Sequence, residues 1–171
     1  GMSLVENLFF LFYKNEVGAS ALMCGVSVVI TVICELPLFS MGKYLIRYLG
    51  IVNLMIISQV CYIARAFGYT YISSPAVILS LEPLHGVTYA CMQLSSVTYM
   101  AQVSPEGLEA SGQGLVAALN RGLGFFVGTL VGGIVMQEHG SKAMFRAAGI
   151  LVAMAAVIYA ACCSMTRRCG I

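Results

Sequence analysis

Apolar residues run through this chain in blocks broken by short polar stretches, and the blocks set its architecture. A helix rises 1.5 Å per residue, so roughly 20 apolar residues are needed to cross a bilayer. Five blocks reach about that length, at residues 21–41, 51–69, 76–101, 115–136 and 145–163. A shorter one, residues 2–13 (MSLVENLFFLFY), is about half as long and reads as the last part of a helix whose beginning is missing. The breaks are polar or basic. Residues 42–50 form a basic loop with Lys43 and Arg47, residues 70–75 a tight uncharged one, and residues 103–114 a polar one containing Pro105, Glu106 and Glu109.

One block departs from the pattern. Residues 78–101 carry Glu82, His85, Tyr89, Gln93 and Ser96 at i, i+3, i+7, i+11 and i+14. That spacing draws a single polar stripe along a helix of period 3.6. An ionisable group at membrane depth is costly, so the stripe is expected to face a water-filled path or another helix. Pro83 and Gly86, each following a polar member of the stripe, are expected to weaken helix regularity there.

Composition fixes the class. The 171 residues are 60% hydrophobic and 9% charged, with a mean hydropathy of +0.91, whereas soluble domains carry about 25% charged residues. The chain is therefore expected to be an all-α integral membrane protein whose first partner is the lipid bilayer. A net charge of +2 without a basic run argues against nucleic acid as a partner. The seven cysteines fall mostly inside apolar blocks without CxxC spacing, so they are expected to be unpaired thiols and not metal ligands or disulfides. Cys169, after Arg167-Arg168, is compatible with palmitoylation. No Ser-His-Asp grouping, metal cluster or phosphate loop points to catalysis or to a cofactor. Lys43, Arg47, Arg167 and Arg168 on one side, against Lys14, Lys142 and Arg146 on the other, lean the carboxyl terminus towards the cytoplasm.

The remaining buried charges sort by depth. Glu35 and Arg121 are expected some 9–15 Å in from the same side, and Arg65 and Glu82 within about two turns of the other. This suggests two pairs, Glu35 with Arg121 and Arg65 with Glu82, with His85 one turn below Glu82. A histidine one turn from a carboxylate is a candidate proton relay, with a static ion bridge as the alternative. Tyr89, Gln93 and Asn120 are candidate ligand contacts. Gly124, Gly128 and Gly132 recur every four residues and mark a close-packing helix seam.

Taken together, Glu35-Leu36-Pro37, Ala64-Arg65, residues 81–88 (LEPLHGVT), residues 111–114 (SGQG), Gly122-Leu123-Gly124 and Phe145-Arg146 resemble the carboxyl-terminal half of a major facilitator superfamily transporter. The similar branch includes lactose permease and the nucleoside–proton symporters, and the sequence looks closest to the eukaryotic macrophage MHC receptor homologues. The resemblance implies a six-helix bundle with a truncated first helix, partnered by a missing amino-terminal six-helix half. It also implies alternating access and proton-coupled symport of a sugar or nucleoside across the plasma membrane or an endomembrane. Arg65 matches an arginine of the branch's ninth helix. Glu82 and His85 match its His-x-x-Glu pair in reverse order. The alternative is a non-transporting receptor or scaffold that keeps the fold.

Overall fold

A computed structural model describes residues 2–72 and 74–168, and the side chains of residues 8–72 and 74–165. The side chains of Glu6, Asn7, Arg167 and Arg168, and all of Cys169, lie outside the described residues. Helices make up the fold: α1 (Met2–Asn15), α2 (Ala21–Ser40), α3 (Gly42–Tyr71), α4 (Pro75–Ile78), α5 (Glu82–Val103), α6 (Glu109–Ala117), α7 (Gly124–His139) and α8 (Ser141–Arg168).

Among the described residues, four stretches are long and apolar enough to cross a membrane, namely Ala21–Ser40, Gly42–Tyr71, Glu109–His139 and Ser141–Met165. The polar stripe keeps α5 from qualifying by composition. The fold shields it between neighbours: α5 packs along both α2 and α3, with Glu82 buried and His85, Tyr89, Gln93 and Ser96 half-buried. The neighbour contacts close a ring in the order α2, α5, α3, α8, α7, α1 and back to α2.

Several boundaries differ from the hydropathy pattern for identifiable reasons. The basic stretch 42–50 is helical after a turn at Met41, and the backbone leaves helical geometry again at Gly50, whose φ of 76° suits a residue without a Cβ. Helix α6 begins inside the polar stretch 103–114, after Gly107 at φ 83°. Between α6 and α7, residues Ala118–Leu123 form a π-turn. The helical irregularity expected around Pro83 and Gly86 lies instead just before Glu82, in a 3₁₀ turn at Leu79–Leu81. Pro83 falls in the first turn of α5, where its missing N–H costs nothing.

The core is concentrated at one end of the ring. Phe9, Phe12 and Tyr13 of α1 meet Tyr62, Ala66 and Tyr69 of α3 and Met144, Phe145 and Ala148 of α8. Phe9 stacks on Tyr13 and Tyr69 with centroids 5.2 and 4.9 Å away, and Phe145 lies 5.0 Å from Phe12 and 5.2 Å from Tyr69. The Tyr13 hydroxyl donates to the Pro75 carbonyl at 2.9 Å, tying α1 to the start of α4. The α1–α2 connection is fastened to α8 by a hydrogen bond from the Ser141 hydroxyl to the Glu16 carboxylate.

A charged cavity beside an aromatic core

Directly against this aromatic core lies a cavity of about 400 Å³, walled by α1, α2, α3 and α5. Glu35, Arg65, Glu82 and His85 line it together, with Thr31, Tyr69, Phe9 and Phe10 among their neighbours. The sequence places these four groups on three separate helices, and the fold collects them.

Glycine explains the convergence. A Cβ on Gly86 would stand 2.7 Å from the Thr31 carbonyl oxygen and 2.9 Å from Cys34 Cβ. No side chain fits there, so α2 crosses α5 at backbone contact. That crossing brings Thr31 and Glu35 level with Glu82 and His85. On the other flank, Ser58 donates to the Thr88 carbonyl at 2.8 Å and Ser95 to the Ile51 carbonyl at 3.3 Å, fixing α3 in register with α5.

Glu82 is 3% exposed and Arg65 2%, so both charges are withdrawn from solvent. The carboxylate is held at both oxygens. Tyr69 donates to Oε1 at 2.8 Å and Thr31 to Oε2 at 3.3 Å. Neither donor was a candidate from sequence, yet each carries a signal. Thr31 precedes Glu35 by four residues, and Tyr69 follows Arg65 by four, which puts each on the same helix face as a charge already singled out.

Arg65 is held differently. Its guanidinium carbon lies 5.9 Å from the Tyr62 ring centroid and 5.8 Å from that of Tyr69. Its Nε and Nη2 have no hydrogen-bond partner among the described residues. Aromatic faces thus stabilise the cation where hydrogen bonds do not. Tyr69 serves both charges, its ring facing Arg65 and its hydroxyl bonding Glu82.

Two carboxylates, Glu35 and Glu82, line the cavity with the Arg65 guanidinium and the His85 imidazole, a set of groups able to exchange protons and to hold a polar ligand.

Arg121 does not line this cavity. It sits in the π-turn, and its Nη2 donates to the Tyr89 hydroxyl at 2.9 Å. The structure accordingly groups Glu35 with Arg65, Glu82 and His85, and groups Arg121 with Tyr89. Phe39 of α2 meets the Tyr89 ring edge-on at 6.3 Å. Gln93 is half-buried further along α5, and Asn120 is exposed beside Arg121. Gly132 is buried and Gly124 and Gly128 half-buried on α7, which packs against α1 and α8. Six cysteines, from Cys24 to Cys163, are free thiols.

Comparison with known proteins adds a family to this geometry. The model of the MFS_1 like family matches residues 1–147. The uncharacterized transporter YwbF of Bacillus subtilis (strain 168) is 26% identical over 149 residues, 87% of this chain and 37% of that protein. The maltose permease of Geobacillus stearothermophilus is 22% identical over 81% of this chain and 35% of its own length. A major facilitator superfamily domain-containing protein 6-like of Danio rerio is 21% identical over 85% and 27% respectively. The chain spans about a third of the length of these relatives.

Proposed function

We propose that this chain, a member of the MFS_1 like family and through it of the major facilitator superfamily, contributes helices to a multi-pass membrane transporter that is a proton-coupled symporter of a small polar solute. The cavity lined by Glu35, Arg65, Glu82 and His85 is assigned as the coupling site. The observation that carries this is the convergence of two carboxylates, a guanidinium and an imidazole on one cavity, where a carboxylate can take up and release a proton.

In this reading Glu82 is the principal proton acceptor. Tyr69 and Thr31 hold its carboxylate ready. Protonation weakens those two hydrogen bonds, frees Tyr69 and changes the field on Arg65. His85, one turn along α5, extends the proton's path towards Tyr89 and Gln93, which are assigned with Asn120 to the solute. We take the solute to be a sugar or nucleoside, the sugar being the class that the name of the Geobacillus relative supports. The branch of lactose permease and the nucleoside–proton symporters is where we place the chain. The remaining helices of the transporter form the partner half. The protein resides in the plasma membrane or an endomembrane with its tail in the cytoplasm.

Uptake of maltose and of uridine by the full-length protein in proteoliposomes, at several pH values, tests the assignment. A pH-dependent uptake that loses its pH dependence in Glu82→Gln and His85→Ala is expected. Uptake indifferent to both substitutions removes these residues from the mechanism.

A further inference from the structure

Thr31 has one hydroxyl hydrogen and two acceptors within its reach. Its Oγ1 lies 3.0 Å from the Ser27 carbonyl oxygen, one turn back on α2, and 3.3 Å from Glu82 Oε2 across the helix crossing. A threonine inside a helix commonly returns its hydroxyl to the carbonyl four residues before it. An ionised carboxylate competes, because a hydrogen bond to a charged acceptor is roughly twice as strong as one to a neutral acceptor. The charge on Glu82 therefore decides which acceptor Thr31 serves.

The protonated carboxyl has a different requirement. It is a donor as well as an acceptor, and its O–H needs a partner. Ser27, Thr31 and Glu82 are all buried, where polar groups are paired. Thr31 can supply the pairing. With its hydrogen turned to Ser27, Oγ1 presents a lone pair to Oε2, and a chain runs from the Glu82 O–H through Thr31 to the Ser27 carbonyl. Tyr69, on the other carboxyl oxygen, has no such alternative. Its hydroxyl has a single acceptor among the described residues, Glu82 Oε1 at 2.8 Å. The other groups facing Glu82 are Arg65 on α3, Tyr13 on α1, Glu35 on α2 and His85 on α5 itself.

We infer that Thr31 is the positioning residue for the coupling proton: it reverses its hydrogen bond with Glu82 as the carboxyl is protonated, so that the proton resides on Oε2, the oxygen facing α2. The inference rests on the assignment of Glu82 as proton acceptor and adds where on it the proton sits and what holds it there. One proton from the aqueous side joins Oε2. The Thr31 hydrogen turns about its own C–O bond from Oε2 to the Ser27 carbonyl, and no other bond forms or breaks. Both charge states are thereby hydrogen-bonded while α2 stays against α5 at Gly86.

Infrared difference spectra of the full-length protein in nanodiscs, recorded in D2O through a pH titration, test this. The O–D stretching band of protonated Glu82 is identified by its loss in Glu82→Gln. It is expected to shift to higher wavenumber in Thr31→Val, which keeps the side chain's shape and deletes the hydroxyl. It is expected to stay in place in Thr31→Ser, which keeps the hydroxyl, and in Tyr69→Phe. Thr31→Ala repeats the deletion should the valine variant not fold. A band that ignores loss of the Thr31 hydroxyl, or that moves in Tyr69→Phe instead, overturns the inference and leaves Glu82 as the proton acceptor. Absence of a Glu82-dependent band at every pH overturns the inference and the coupling assignment together.

Discussion

At the scale of single residues, Arg65 and Glu82 separate structural from functional roles. Removing one member of a buried charged set leaves the other uncompensated, at about 3–5 kcal/mol. Arg65→Leu is therefore expected to lower the folded yield and the midpoint of thermal unfolding in nanodiscs. Pairing it with Glu82→Leu is expected to restore most of the loss without restoring transport, which would show that the pair does more than hold helices. Tyr69→Phe makes a finer cut. It keeps the ring between Phe9, Phe145 and Arg65 and deletes only the donor to Glu82 Oε1. Its expected cost is about 1.5–3 kcal/mol, read from the same unfolding midpoint, because the lost hydrogen bond is to a charged acceptor.

At the scale of helices, close approach decides what the site can contain. Gly86→Ala forces a methyl against the Thr31 carbonyl and Cys34 Cβ, both fixed by the α2 backbone. It is expected to cost about 1–3 kcal/mol and to part Thr31 from Glu82. Gly68→Ala is the control. There the methyl meets the tip of the Leu81 side chain at 2.7 Å, which can rotate away, so stability should change by less than about 1 kcal/mol. Thermal unfolding of the two variants checks the contrast. The same helices show how far the sequence is readable. The apolar blocks coincide with long helices, α2, α3, α5, α7 and α8, and the i, i+3, i+7 spacing on α5 places Glu82 and His85 on one wall. The depth argument does not fix partners, because depth leaves helix order around the ring open. It pairs Glu35 with Arg121, whereas the crossing at Gly86 carries Glu35 to Arg65 and Glu82. The π-turn and the Gly50 kink are likewise hidden from hydropathy, which averages over the residues that produce them.

At the scale of the whole molecule, a ring of helices carries an aromatic core at one end and a charged cavity directly against it. The core gives Tyr69 a rigid ring, and Tyr69 gives Glu82 a hydrogen bond, so the carboxylate's charge state is tied to packing among α1, α3 and α8. A transporter needs such a link between an ion and the walls around it. The most direct measurement is proton movement during solute uptake, followed with a pH electrode in a lightly buffered suspension of proteoliposomes holding the full-length protein. The account predicts that adding solute makes the medium more alkaline, that Glu82→Gln and Glu35→Gln each suppress this by at least about tenfold, and that solute exchange without net flux persists. Solute uptake with no proton movement, or proton movement unchanged by both substitutions, would contradict it.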